Sequence, residues 1–393
     1  MKTSVSQSDL NKACKQVVKA LSKRAILPIT THIKLETCAG WLRLTTYDLK
    51  IAIAARVSAV IEEDGSICVP GKLFAELVAK AAKGSRLDLS TDGNTLLVKN
   101  GLSEIRLSGM SADDFPPIPD EFEPYARIEA TELQAAIEAT AYCAAKDDTR
   151  PVLQCVEFRV KEDVLTMAAM DGFRLAVYKV DCEGSNNETP VLISGKSLIM
   201  IGGLLKGVKE QVDVLYHEYR GKDGYIQNAQ VAFVIGHTTI VCQCDKGTFP
   251  NYSVLIPTSY LTHVEVSKDA LAAAVACLKP IAAAGSDIVR IELIPGDVGR
   301  LMLIAESKDT GESRQEMPCQ YIEVPAPKPA PESLVGTGRR IAFNCKYLEA
   351  MLSSIATSLV GLEITTPSSP GVFRPVGGQE NYLQIIMPVF VQW

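Results

Sequence analysis

Val5-Ser-Gln-Ser-Asp-Leu10-Asn-Lys-Ala13 returns in altered form as Ile128-Glu-Ala-Thr-Glu-Leu133-Gln-Ala-Ala136 and again as Val266-Ser-Lys-Asp-Ala-Leu271-Ala-Ala-Ala274. Each stretch reads as a β-branched residue closing a strand, a helix start of the Ser/Thr/Asp type, then Leu and Ala on the helix's inner face. Two further landmarks keep the same order. Val5 to Asp48, Ile128 to Asp171 and Val266 to Asp309 each span 43 residues, and each aspartate stands where one strand gives way to the next. A second helix start of the form apolar-x-x-Lys-x-apolar follows, at Val69-Pro-Gly-Lys72-Leu-Phe74, Ile193-Ser-Gly-Lys196-Ser-Leu198 and Phe343-Asn-Cys-Lys346-Tyr-Leu348. Three ordered landmarks occurring three times mark an internal repeat of ~120–135 residues, the size of a domain.

The last interval is stretched by Val324-Pro-Ala-Pro-Lys-Pro-Ala-Pro-Glu-Ser333, which reads as an exposed, extended Pro/Ala loop. Asp114-Phe-Pro-Pro-Ile-Pro-Asp-Glu-Phe-Glu-Pro124 and the stretch from Pro250 to Pro257 have linker composition. They divide the chain into residues 1–122, 125–257 and 260–393. Within a repeat the order is strand, helix, several strands, helix, further strands. Arg86-Leu-Asp-Leu-Ser and Thr95-Leu-Leu-Val-Lys are strands joined at the Asp92-Gly93 turn signal. The expected class is α+β, three modules with helices on one face of their sheets.

Composition narrows the function. Hydrophobic residues are 47% and charged residues 22%, an ordinary globular balance, and the formal net charge is −6. Bulk attraction to nucleic acid is therefore excluded, and any contact with DNA must rest on local charge or on topology. One local concentration exists. On a helix over Asp9 to Leu21, the residues Leu10, Cys14, Val17, Val18 and Leu21 gather on one side, while Lys12, Lys15, Lys19 and Lys23 share the other, with Arg24 following. Flexible, hydrated lysines suit sequence-blind contact with phosphates.

Catalytic readings fail one by one. Gly195-Lys196-Ser197 ends like a phosphate loop, but Pro190 stands where that motif needs glycine, so a phosphate-handling enzyme built on Lys196 is disfavoured. None of the four histidines has a nucleophile or ligand neighbourhood. The 11 cysteines are scattered without a Cys-x-x-Cys pair, which predicts reduced thiols and neither metal nor cofactor. With no signal-like apolar segment and no run long enough to cross a bilayer, the expectation is a cytoplasmic protein without membrane attachment.

Three motifs carry a resemblance over essentially the whole chain. They are Arg150-Pro-Val-Leu153-Gln-Cys-Val-Glu-Phe with Ala169-Met-Asp-Gly-Phe-Arg-Leu-Ala-Val177, then Phe249-Pro-Asn-Tyr-Ser-Val-Leu-Ile-Pro257, then Ile385-Ile-Met-Pro-Val389. In this order the chain resembles the β sliding clamps of bacterial DNA polymerase III. The resemblance implies a non-catalytic processivity factor, a head-to-tail homodimer forming a ring of six modules around duplex DNA. It implies docking of short linear motifs from the polymerase III alpha subunit, the clamp loader and repair polymerases. The implied groove comprises Leu153, Met170, Gly172, Phe173, Arg174, Leu175, Pro250, Val254, Leu255, Met387, Pro388 and Val389, apolar walls with an Arg beside them for an acidic flank. DNA would face Lys12, Lys15, Lys19, Lys23, Arg24, Arg150 and Lys196. The subunit contact would set Ile105 and Leu107 against Leu278 and Ile281. Met170 and Phe173 replace the family's usual Thr and His, and the tail runs on to Trp393. These departures predict a greasier groove that Trp393 could cap. The competing reading is a clamp-like scaffold that binds proteins without encircling DNA.

Overall fold

The computed structural model describes all residues except 23–26, 120, 186–187, 221–225, 295–298, 324–338, 380 and 393. Lys23, Arg24, the 324–333 insertion and Trp393 thus lie outside the described residues.

The strand and helix order repeats three times. The first repeat runs β1 Lys2–Ser6, α1 Gln7–Val17, β2 His32–Cys38, β3 Trp41–Tyr47, β4 Ile51–Glu63, β5 Ser66–Pro70, α2 Gly71–Lys80, β6 Arg86–Asp92, β7 Thr95–Asn100 and β8 Ser103–Ser108. The second runs β9 Glu123–Glu129, α3 Ala130–Thr140, β10 Cys155–Lys161, β11 Val164–Met170, β12 Arg174–Asp181, β13 Glu183–Gly184, β14 Val191–Ser194, α4 Gly195–Leu205, β15 Gln211–Arg220, β16 Ile226–Ile235 and β17 Thr238–Gln243. The third runs β18 Thr262–Ser267, α5 Lys268–Ala284, β19 Ile288–Ile294, β20 Gly299–Ser307, β21 Gly311–Glu323, β22 Arg340–Asn344, α6 Cys345–Ser354, β23 Leu359–Ile364, β24 Gly371–Val376 and β25 Tyr382–Ile386. The second helix of each repeat begins at the residue before the landmark lysine. The Asp92-Gly93 turn joins β6 to β7 with Gly93 at φ +54°.

Two expectations about the first helix needed correction. The α-helix ends at Val17, short of Leu21, and Val18–Ala20 form a single 3₁₀ turn. Thr46 Oγ1 donates to the Val17 carbonyl at 2.6 Å, so a side chain satisfies a group the helix end leaves open. Ser6 makes no side-chain cap, whereas Ser267 Oγ, its counterpart before α5, accepts from Ala270 N at 3.3 Å. Leu10, Cys14 and Val17 are fully buried, with Leu10 and Val17 each contributing about 1.5–3 kcal/mol. They face β4 and α2. Gln7 is buried as well, and its Nε2 donates to the Val78 carbonyl near the end of α2 at 2.7 Å.

By packing the chain forms two compact units, which cut across the threefold repeat. The first holds Met1–Gln134, Val160–Asp163 and Asp181–Lys246; the second holds Ala135–Arg159, Val164–Val180 and Gly247–Trp393. In the first unit the strands follow β13-β9-β15-β16-β17-β4-β1-β6-β7-β8, with β3 on β4, β2 on β3 and β5 on β2. In the second they follow β11-β12-β25-β24-β23-β18-β21-β20-β19-β22. Each unit therefore contains one antiparallel seam between repeats. β4 meets β17 from Ile51↔Cys242 to Ala55↔Thr238, and β12 meets β25 from Arg174↔Ile386 to Tyr178↔Tyr382. Pairing at a seam covers edges that would otherwise expose a row of unsatisfied amides.

Candidate functional site

The second unit builds its site around the turn between β11 and β12. Asp171 Oδ1 accepts from Phe173 N at 2.9 Å and from Arg174 N at 3.1 Å, an aspartate-capped turn. Gly172 sits at φ +94°, and Arg150 Nη1 lies 2.9 Å from where a Cβ would stand. Glycine suits the left-handed backbone there, and a Cβ would have to displace the tip of the Arg150 side chain. Arg150 Nη2 also donates to the Asp171 carbonyl at 3.2 Å. Its guanidinium thus packs on this turn, a placement that the grouping of Arg150 with the DNA-facing lysines did not foresee.

Arg174 is held on four sides. Its Nε donates to Asp171 Oδ2 at 3.0 Å and its Nη2 to the Tyr142 carbonyl at 3.0 Å. The guanidinium lies between the Tyr142 ring, 5.2 Å from its centroid, and the Tyr347 ring, 4.8 Å away. Only 10% of the Arg174 side chain and 14% of the Asp171 side chain are exposed. This corrects the expectation of an arginine waiting for an acidic flank, because Asp171 already takes its charge. Its role is to brace the turn and to fix Tyr347, on whose ring Phe173 stacks with centroids 6.3 Å apart and planes inclined by 23°.

Behind the turn lies a buried polar cluster. Tyr382 Oη donates to the Ala139 carbonyl at 3.0 Å, and Ser354 Oγ lies 2.7 Å from Tyr382 Oη. Gln384 Nε2 donates to Ser354 Oγ at 2.8 Å and also reaches the hydroxyls of Tyr142 and Tyr382. Burial pushes both phenols well above the ordinary tyrosine range. Neutral hydroxyls can donate and accept at once, so the cluster stays satisfied without charge.

The other residues expected in the groove differ in exposure. Leu153, Met170 and Leu175 are buried, Met387, Pro388 and Val389 are half-buried, and Pro250 is exposed. Phe173 is 56% exposed, Val254 77% and Leu255 37%. The tail is tied on by Met387 N donating to the Phe173 carbonyl at 2.8 Å and by Val389 N donating to the Ala342 carbonyl at 2.8 Å. Gly247, at φ +129°, lets the second linker approach Val152 Cγ2, next to Leu153. Asn251 Oδ1 then caps the 3₁₀ turn Tyr252–Leu255 that presents Val254. An exposed Phe173 beside the half-buried Met387 and Pro388 is the kind of surface that apolar peptide anchors need. Sequence reasoning missed Tyr142, which lies in no motif, and Tyr347, which stands at the unmarked position of the landmark Phe343–Leu348; both come to Arg174 from distant elements. It marked Asp171 as a landmark only.

The lysines of the first unit form a second feature. Lys12 and Lys15 are exposed on α1, Lys19 on the 3₁₀ turn after it, and Lys196 at the start of α4. Among the described residues no carboxylate pairs with any of these four, and Lys19 Nζ reaches only the Gly203 carbonyl, at 3.4 Å. The third repeat differs. Lys346, counterpart of Lys196, is bound to Asp287 at 2.6 Å, and Lys279 to Glu349 at 2.8 Å.

Of the residues expected at a subunit contact, Ile105 is half-buried and Leu107 buried on β8, the last strand of the first unit's sheet. Ile281 is half-buried. Leu278 is fully buried in the core of its own unit and cannot face another molecule. The helical period turns Cys277 and Lys279 outward in its place.

Burial holds the thiols of Cys14, Cys68, Cys143 and Cys244 up at about 12, so at neutral pH they are small hydrophobes and not nucleophiles. Among the described residues no helix is long and apolar enough to cross a membrane.

Known proteins match along the whole chain. The Synechococcus elongatus beta sliding clamp is 26% identical over 99% of both chains. The crystal structure of the Pseudomonas aeruginosa DNA polymerase III subunit beta superposes with a TM-score of 0.88 at 22% identity, covering all of both chains. That of the Thermotoga maritima beta subunit gives 0.84 at 25% identity, again with complete coverage. Models of the DNA polymerase III beta subunit match in order, the N-terminal domain at residues 1–119, the central domain at 127–251 and the C-terminal domain at 253–390. With all three of its domains present along one polypeptide, this chain belongs to the DNA polymerase III beta subunit family.

Proposed function

We propose that this chain is the sliding clamp of a replicative polymerase and that the braced turn of its second unit is the dock for its partners. It is a processivity factor with no chemistry of its own. Two subunits close head to tail into a ring of six modules, and duplex DNA is held by enclosure, without regard to sequence. The three modules are residues 1–122, 125–257 and 260–393. The observation that carries this reading is the ordered match of all three family domains along one chain.

An acidic protein can do this work because topology replaces affinity. Lys12, Lys15, Lys19 and Lys196 supply mild, hydrated attraction toward phosphates, and tight contacts would impede sliding. Ring closure uses the free edge of β8, with Ile105 on one subunit and the outer face of α5 near Ile281 on the other. The dock takes short linear motifs of the polymerase III alpha subunit, the clamp loader and repair polymerases on Phe173, Val254, Leu255 and Met387. The protein acts in the cytoplasm.

Retention on DNA tests the reading. Loaded onto nicked circular DNA, the protein should stay through gel filtration and be lost once the circle is linearised. Equal loss from circular and linear DNA would favour a scaffold that never encloses the duplex.

A further inference from the structure

The first unit contains a cleft of ≈ 540 Å³ on the exposed face of its seam, roofed by the first linker. Its floor is three rows read across paired strands. One row is Ala52, Val241, Ala232 and Leu215; the next is Lys34, Thr45, Ala54, Thr239 and Val234; the last is Glu36, Arg43 and Arg56. Phe115, Pro116, Pro117, Ile118, Pro119 and Phe122 form the roof. Ile118 and Phe122 rest on the buried trio of Ala52, Ala232 and Val241.

The repeat explains why the hollow exists. Counting from the landmark aspartates, Ala52 and Ala54 stand where Leu175 and Val177 stand at the other seam. Across the strands, Val241 and Thr239 stand where Ile385 and Leu383 do. Four large aliphatic side chains at one seam are thus Ala, Ala, Val and Thr at the other. The backbones stay in place because the ladder hydrogen bonds hold them; Ile118 and Phe122 cover Ala52 and Val241, and the space left open lies beside Ala54 and Thr239. Its size lies in the ordinary range of ligand pockets, roughly 300–1,000 Å³.

The mouth has a sign. Glu36 is shared between Lys34 at 3.1 Å and Arg43, whose Nε lies at 2.9 Å. Arg56 is the direct cross-strand partner of Arg43, an arrangement of like charges that costs stability. Arg56 is exposed, and no carboxylate among the described residues pairs with it. Three cations and one carboxylate line the cleft, together with Thr45, Thr239 and apolar side chains.

We propose that this cleft is a second peptide dock, which takes a short acidic peptide from a partner protein. An apolar side chain of the peptide fills the hollow beside Ala54 and Thr239, and its carboxylates meet Arg56 and Arg43. The choice of an acidic peptide rests on the cation excess at the mouth and on the unpartnered Arg56. This dock is separate from the one in the second unit and does not depend on it.

The test is calorimetric titration of the full-length protein with an acetylated peptide of two leucines, one phenylalanine and three aspartates. Two peptides should bind per chain. Phe173→Asp should remove one and Arg56→Glu the other, weakening that site roughly tenfold or more. Ala54→Phe, which fills the hollow, should also abolish the Arg56-dependent site, and asparagines in place of the aspartates should weaken it. A single peptide per chain, lost with Phe173→Asp and indifferent to Arg56→Glu, would overturn this proposal while leaving the dock in the second unit standing. Peptide uptake insensitive to both substitutions would remove both. Self-association that depends on Arg56 without peptide uptake would assign the cleft to a second copy of the chain and reject the peptide.

Discussion

The two seams share a backbone and differ in what fills it. At both, a capped turn leads into the seam strand. Asp48 Oδ1 accepts from Lys50 N at 2.9 Å and Ile51 N at 2.8 Å, the offsets that Asp171 uses for Phe173 and Arg174. The residue after the aspartate is left-handed at both, Leu49 at φ +75° and Gly172 at φ +94°. Beyond that the inserts diverge. The second seam has Arg174 clamped by Asp171, Tyr142 and Tyr347 over a floor of Leu175 and Ile385. The first has Ile51 in the place of Arg174, alanines on the floor, and its cations out at the rim. One frame therefore yields a braced turn with apolar neighbours at one junction and a cleft rimmed by cations at the other.

The largest expected effect comes from breaking the clamp. Arg174→Met keeps much of the volume but strands the Asp171 carboxylate beneath the turn. It should destabilise the second unit by about 3 kcal/mol, since a buried charge left without its partner is costly. Urea unfolding followed through a fluorophore on that unit would measure it. A loss as small as that of a surface substitution would show that the clamp is ornamental.

Gly172→Ala comes next. It meets both the left-handed backbone and the Arg150 guanidinium, and should cost about 1–2 kcal/mol, read as a shift in the denaturation midpoint. Phe173→Ala should weaken binding of a clamp-directed peptide roughly tenfold in fluorescence anisotropy while dimer formation stays intact. Unchanged affinity would move the dock away from the stacked Phe173–Tyr347 pair.

The smallest effect has the opposite sign. Leu49→Gly relieves a left-handed leucine at the price of a looser unfolded chain, and should stabilise the first unit by about 0.5 kcal/mol. If Leu49→Gly destabilised as Gly172→Ala does, the two turns would not be equivalent, and the repeat would stop at the level of topology.

Much of the fold was legible because its signals are local. Helix starts show in the residue types at Gly71, Gly195 and Cys345, and strands in alternation such as that of β2, where Ile33 and Leu35 are fully buried. The candidate site was legible in part. The motif around Gly172 pointed to the turn, and the departures to Phe173 and Met170 pointed to its apolar character. The clamp was not, since Tyr142 and Tyr347 lie far from Arg174 in the chain, and Tyr347 fills a position that its landmark leaves unspecified. The helical wheel also ran α1 on past Val17, because a wheel does not sense where Thr46 closes the helix end.

From its residues alone the chain specified three repeats of one strand-and-helix order, their landmarks and their family, because each depends on residues close together or at fixed intervals. Tertiary structure decided the rest. It joined three repeats into two units, because an edge strand has to pair and each seam lies between repeats. It silenced Arg174 by giving its charge to Asp171, and it turned Leu278 inward by the phase of α5. It also left a cleft beside Ala54 and Thr239, since an absent side chain becomes a cavity only where the backbone around it cannot close in.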